Sequence, residues 1–144
     1  MNRALLFVIV LSLFFVGCSD HVSLSGRVTY SDDGSPLESG TVVFETKNYF
    51  ARGEIGKDGK YVMATMRPND GLPPGQYQVY VNGAYRYEVP EGGGLANEIL
   101  LITHKYTSPE TSGMVIDVDR STKKFDFQVD RMPGTKKDPE TKPE

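Results

Sequence analysis

Apolar and polar residues alternate with a period of two through most of the chain after residue 21. The first run places Val22, Leu24, Gly26, Val28 and Tyr30 on one side and four polar residues between them. Residues 77–82 and 125–129 repeat this alternation with tyrosine, phenylalanine and valine on the apolar side. Such a period is typical of a strand that is buried on one face only.

Further strand-like runs are rich in β-branched and aromatic residues, at residues 41–46, 61–66, 97–103 and 114–119, with a weaker one at 51–55. Glycine and proline separate these runs at residues 32–36, 57–60 and 73–75, where the chain is expected to reverse. Asp58-Gly59 between two such runs favours a hairpin, with a positive φ at Gly59. No stretch shows a sustained helical period. The pattern predicts an all-β sandwich of seven or eight strands.

Two segments fall outside the alternation. Residues 85–94 contain Pro90 and three consecutive glycines, which indicates a mobile loop with a short edge strand at 85–89. Residues 132–144 combine three prolines with charges and almost no apolar residues, so they are expected to form a disordered tail. The folded domain is therefore predicted at residues 22–131.

The N-terminus has the pattern of a secretory signal. Arg3 precedes thirteen residues, 4–16, of which only Ser12 is polar. Thirteen helical residues rise only about 20 Å, which is short of a ~30 Å bilayer core. Residues 15–18 (FVGC) resemble the lipobox of bacterial lipoproteins, in which a small residue precedes the cysteine that is lipidated and becomes the new N-terminus. The resemblance implies cleavage between Gly17 and Cys18. The alternative is a secreted protein with an unpaired cysteine.

This resemblance implies a signal peptide at residues 1–17 and a lipidated tether at residues 18–21. The acyl chains on Cys18 would hold the protein at a membrane of the bacterial cell envelope. The short tether would keep the domain close to the bilayer. Ser19, rather than an aspartate, follows the cysteine. In envelopes that sort lipoproteins by that residue, this favours the outer membrane.

Composition and charge narrow the classes of partner. Lys and Arg number 16 against 19 Asp and Glu, so the chain has no basic surplus for binding nucleic acid. One cysteine and two histidines provide neither an internal disulfide nor the usual zinc ligands. We expect no cofactor and no metal. Asp32, Asp33, Asp117 and Asp119 are interpreted as turn formers and solvated strand residues, because an EF-hand would need further spaced acids.

Several motifs together resemble transthyretin-like modules, which are also called prealbumin-like or carboxypeptidase regulatory-like domains. They are LSGRVTY at residues 24–30, GEIGKDGKY at 53–61 and PGQYQV at 74–79. Residues 105–113 are similar to a segment of small bacterial lipoproteins that carry this module. The resemblance covers residues 24–129 and implies a Greek-key β-sandwich. It predicts a fold and no reaction.

The sequence does not favour an enzyme. One hydrolase of this fold class uses histidines, arginines and a C-terminal Tyr-Arg-Gly-Ser signature, whereas this chain ends in TKPE and has only His21 and His104. The motifs of serine hydrolases, zinc proteases and phosphate-binding loops are also missing from the sequence. A hydrolase therefore stays a remote alternative, and no catalytic residue is assigned.

Exposed tyrosines provide the main candidate binding residues, at Tyr49, Tyr80, Tyr85, Tyr87 and Tyr106. Aromatic rings in strands and half-buried edges also serve the fold alone. The sequence thus indicates a non-enzymatic cell-envelope lipoprotein that acts as a binding or structural accessory module, with an envelope protein or a glycan as partner. The alternative is a carbohydrate- or peptidoglycan-binding module that uses Tyr80, Tyr85 and Tyr87.

Overall fold

The computed structural model describes residues 20–135, and these form nine strands and two single-turn helices. The strands are β1 Ser25–Tyr30, β2 Thr41–Glu45, β3 Phe50–Glu54, β4 Lys60–Val62, β5 Gly75–Asn82, β6 Tyr85–Glu88, β7 Asn97–Leu100, β8 Met114–Val118 and β9 Phe127–Val129. The predicted all-β fold is confirmed. The signal peptide, Cys18 and residues 136–144 of the predicted tail lie outside the described residues.

The strands are arranged in three sheets. One has four antiparallel strands in the order β3-β2-β5-β8, and another has three strands in the order β4-β1-β9. Within the second sheet, β1 and β9 run parallel. Strands β6 and β7 pair only with each other and form a separate two-stranded sheet. Nine strands are thus observed where seven or eight were predicted, and both strands of this small sheet lie within segments that the sequence indicated as strand-like, at 85–89 and 97–103.

The core lies between the four-stranded and the three-stranded sheet. The inward residues Val28 and Tyr61 of one sheet belong to the same buried cluster as Phe44 and Val79 of the other. The ring of Phe44 meets that of Phe125 edge-on, with 5.9 Å between the centroids. Burial of these side chains is the main stabilising term, since each contributes about 1.5–3 kcal/mol relative to an exposed position.

Strand β5 defines two opposite ends of the sandwich. Its first residue, Gly75, follows closely after Leu72, whose backbone pairs with that of Val22 where the chain enters the fold. We call this the N-terminal end. The last residue of β5, Asn82, lies three positions before strand β6. Because eight residues of a strand span about 25 Å, β6 and β7 lie far from the point of entry.

The turn between β3 and β4 has the predicted positive φ at Gly59, but the predicted hairpin is not formed, because β3 and β4 belong to different sheets and their segments meet only in a bridge between Arg52 and Ala64. The Gly59 N–H donates to Gly56 O, and the Gly56 N–H donates to Lys60 O. Gly59 has a φ of 77°, as the sequence predicted. A Cβ at this position would lie 2.5 Å from Val28 O, so the turn also packs tightly against β1.

Two helical turns interrupt the β structure between β7 and β8, at His104–Thr107 and Pro109–Ser112. The first turn buries the ring of Tyr106, whose hydroxyl donates to Asp130 Oδ2 at 3.0 Å. The second ends at Gly113 in the left-handed conformation, with a φ of 66°. Among the described residues, neither helix has the length or the apolar character needed to cross a bilayer.

Candidate binding arm

Strands β6 and β7 form a hairpin that we call the arm (residues 85–100). Tyr85 lies opposite Leu100, and Tyr87 lies opposite Glu98. The base of the arm is fixed to the sandwich, because the Leu101 N–H donates to Ala84 O at 2.9 Å and the Ser39 hydroxyl donates to Tyr85 O at 3.0 Å. Ala84 and Ile102, on either side of the arm, are buried in the core.

The outer half of the arm extends into solvent. Every residue from 87 to 98 is exposed. Large apolar side chains are among them, with Tyr87 at 68% and Leu95 at 92% of full exposure and Val89 also exposed. The tip turns through Gly92, Gly93 and Gly94, which all have positive φ. Several exposed apolar side chains on one hairpin make the arm a candidate interaction site.

The outer half of the arm is acidic. Residues 87–98 include Glu88, Glu91 and Glu98 and contain no lysine or arginine. Arg86 lies nearer the base, where it is mostly covered and forms an ion pair of 2.6 Å with Glu88. The Tyr87 hydroxyl lies 3.5 Å from Glu98 Oε2, at the limit of a hydrogen bond. The arm therefore presents carboxylates and apolar groups together.

The structure brings two of the three candidate tyrosines together. Tyr85 and Tyr87 are two residues apart in β6, so their rings lie on one face of the arm. Tyr80 lies elsewhere, on the outer face of the four-stranded sheet opposite Val43. Its hydroxyl donates to Glu45 Oε2 at 2.8 Å, and burial together with this bond raises the pKa of Tyr80 to about 12.

The other polar candidates have structural partners. Tyr49 packs against the core, and Asp119 accepts hydrogen bonds from Ser121 and Thr122 within its own turn. The pKa of Asp119 is lowered by these bonds. Asp32 binds Arg131, and Asp117 binds Gln76. Within residues 20–135, no three His, Cys, Asp or Glu side chains form a group that could hold a metal ion.

A groove of about 720 Å³ between β3 and β4 was not predicted from the sequence. Arg52, Val62, Met66 and Arg67 are among the residues that line it. Met66 is 95% exposed, whereas Tyr61 in β4 and Met63 just after this strand are buried. The signal in the sequence was the apolar Met66 beside Arg67-Pro68, a position where a loop residue is normally polar.

Comparison with known proteins gives a loose likeness in fold. No protein-family model matches the chain, and no curated protein matches it. A DUF3823 family protein from Bacteroides ovatus is 19% identical over 76% of this chain and 44% of its own, with a TM-score of 0.42. The major pilin subunit of Bacillus cereus is 11% identical over 77% of this chain and 30% of its own, with a TM-score of 0.48. The chain thus spans less than half the length of these solved chains, and such low TM-scores support no argument about function.

Proposed function

We propose that this chain is a non-enzymatic lipoprotein of the bacterial cell envelope, with a transthyretin-like domain that binds a partner through the arm. One observation carries the proposal: the chain enters the sandwich at one end, and the exposed arm leaves it at the other. If Cys18 is lipidated, the arm extends away from the membrane. Tyr87, Val89 and Leu95 are then presented to molecules in the envelope.

The first described residues support a close attachment to the membrane. Asp20 forms an ion pair of 2.6 Å with Arg120, and His21 Nδ1 lies 3.1 Å from Asp70 O. Only Ser19 separates Cys18 from Asp20 in the sequence. Backbone pairing with the sandwich begins at Val22, four residues after the proposed lipid, which keeps the domain close to the membrane.

A glycan is the second candidate partner. Tyr85 and Tyr87 lie on one face of β6 about 7 Å apart along the strand. Tyr87 is exposed and Tyr85 is half-buried, and aromatic rings on one face can stack on sugar rings, since one side of a sugar ring is apolar. Tyr80 does not join this face, so the proposal rests on Tyr85 and Tyr87 alone.

Photo-crosslinking from the arm tests the proposed binding role. A photoreactive phenylalanine analogue at Leu95 is expected to capture a discrete envelope protein in cells. The same analogue at Val115, which is 54% exposed on β8, is the control. Equal crosslinking patterns from the two positions would contradict a specific role of the arm.

Binding to purified cell-wall polymer separates the glycan from the protein partner. Saturable co-sedimentation that weakens in Tyr85→Ala and Tyr87→Ala, and not in Tyr80→Ala, would favour the glycan. Absence of both polymer binding and crosslinking would overturn the binding function and leave a structural role.

Cys18→Ser tests the lipid attachment. The variant is expected to lose acyl labelling, and either to leave the membrane fraction or to retain residues 1–17. Normal acyl labelling of Cys18→Ser would show that the membrane attachment has been assigned wrongly.

A further inference from the structure

Two loops lie beside the point where the chain enters the sandwich. Residues 65–72 form one of them, in which Leu72 O accepts from the Val22 N–H at 2.7 Å. Residues 119–124 form the other, in which Lys123 O accepts from the Ser25 N–H at 3.1 Å. Together with residues 20–23 they form the surface of the N-terminal end. Any membrane that holds Cys18 must face this surface.

The first of these loops is held in a fixed conformation by Asp70. Its carboxylate accepts hydrogen bonds from the N–H groups of Thr65, Met66 and Arg67 and from the Thr65 hydroxyl, at 2.6–3.0 Å. These bonds hold the pKa of Asp70 well below its usual range. Asn69 adopts a φ of 62°, which is rare outside glycine. The loop is thus ordered, yet the side chain at its apex, Met66, is almost fully exposed.

Cations at this end are better placed to meet an external anion than the carboxylates. Asp70 and Asp119 bind donors of their own loops. Two cations are already paired, in the bridges Arg120–Asp20 and Lys124–Asp126. Over residues 20–135, Arg67 and Lys123 have no ion-pair partner, and both are exposed. The long side chains of arginine and lysine can extend outward while their stems stay on the surface.

We propose that the N-terminal end docks onto an anionic phospholipid surface, with Met66 entering the interface and Arg67 and Lys123 contacting the headgroup phosphates. The inference rests on the proposed lipidation of Cys18. Two residue steps from Cys18 to Asp20 span about 7 Å at most, so the anchor keeps both loops within contact distance of the headgroups. Exposed apolar side chains enter the boundary between headgroups and acyl chains, and basic side chains on the same surface are attracted to anionic lipids.

The proposal is tested with the mature, full-length lipoprotein in vesicles. Lipidation consumes the thiol of Cys18, so a single new cysteine can be labelled selectively with a fluorophore. Met66→Cys places the label in the proposed contact. Leu95→Cys is the matched control, since it is an equally exposed apolar residue at the tip of the arm. Quenching by lipids with a spin label at headgroup level reports the distance of each label from the membrane.

We expect the label at residue 66 to be quenched several-fold more strongly than the label at residue 95. In vesicles of phosphatidylcholine with phosphatidylglycerol, the quenching at residue 66 reports the ratio of docked to undocked protein. Changing both Arg67→Ala and Lys123→Ala should reduce this ratio roughly fivefold per cation removed. The same pair of changes should have little effect in pure phosphatidylcholine. A thermal melt of each variant checks that the domain keeps its fold.

Two distinct failures are separable in this experiment. If the protein floats with the vesicles and both labels are quenched equally weakly, the lipid anchor stands and the docking surface is refuted. If the protein does not float with the vesicles, the anchor at Cys18 is refuted, and the docking inference fails with it. Equal loss of quenching in the two lipid compositions would refute the role of the phosphates.

Discussion

Arg131 connects the end of the domain to the turn after β1, and its removal tests how strongly a partly buried ion pair stabilises the fold. Its guanidinium carbon lies 3.6 Å above the centre of the Tyr30 ring. Its Nε donates to Asp32 Oδ2 at 2.9 Å, and its Nη2 donates to Ser35 Oγ at 3.0 Å. The hydrogen bond to Asp32 raises the pKa of Arg131, so the side chain stays charged over the working pH range.

We expect Arg131→Ala to lower the free energy of unfolding by about 2–3 kcal/mol. A hydrogen bond to a charged group contributes about 1.5–3 kcal/mol when buried. The lower part of that range applies here, because Arg131 is 15% exposed while Asp32 is 52% exposed and solvent screens the pair. The contact with the Tyr30 ring adds about 0.5–1 kcal/mol.

Urea denaturation of three variants tests whether the burial of an ion pair or its N–O distance decides how much it stabilises the fold. The Lys124–Asp126 pair is shorter, at 2.6 Å, but its side chains are 68% and 48% exposed. Lys124→Ala should therefore cost less than about 0.5 kcal/mol. Arg131→Lys keeps the charge but loses the planar contact with Tyr30, so an intermediate loss is expected. Equal effects of Arg131→Ala and Lys124→Ala would refute the reasoning that burial decides the contribution of these pairs.

Two further predictions concern turns. Gly59→Ala should lower the free energy of unfolding, measured by urea denaturation, by about 2–4 kcal/mol, because the added Cβ overlaps Val28 O and the positive φ is strained. Gly34→Ala, with a φ of 72° and no atom near its Cβ, should lower it by only about 1 kcal/mol. Similar losses in the two variants would contradict the tight packing of the turn at Gly59. Asp70→Asn should lower the melting temperature at neutral pH. Folding lowers the pKa of Asp70 from 3.8, so the contribution of its carboxylate to stability is complete above that pH and is lost as the pH falls further. The difference in melting temperature between the variant and the parent should therefore shrink in acid. A difference that does not depend on pH would refute this role of Asp70.

The sequence predicted the fold where local chemistry decides it. Alternating burial along β1 and β5 follows the period of two, and Gly59 has the positive φ that its hairpin motif required. These features depend on neighbours within a few residues. The same is true of the breaks at glycine and proline, which separate the strands at nearly the positions observed.

Features that depend on distant contacts could not be read from the sequence. Strand β1 pairs in parallel with β9, about a hundred residues later, and no local pattern specifies such a partner. Tyr80 faces outward as the alternation predicts, but its diagonal neighbour Glu45 accepts its hydroxyl. Met66 is the last residue of the strand-like run predicted at 61–66, but β4 ends at Val62, and the exposure of Met66 results from the turn that Asp70 stabilises four residues later.

The arm should be the least protected strand pair in the described part of the chain, because an isolated two-stranded hairpin is only marginally stable in water. Its outer half has just two residue pairs, Tyr87 with Glu98 and Glu88 with Asn97, and no core beneath them. Strand β5 lies between β2 and β8 with buried valines. Amide hydrogen exchange should therefore be much faster at residues 87–98 than in β5, and a partner that binds the arm should slow it. Exchange as slow as in β5 in the free protein would mean that the arm belongs to the cooperative core, and binding would then have to be rigid-body docking rather than the ordering of a loose element.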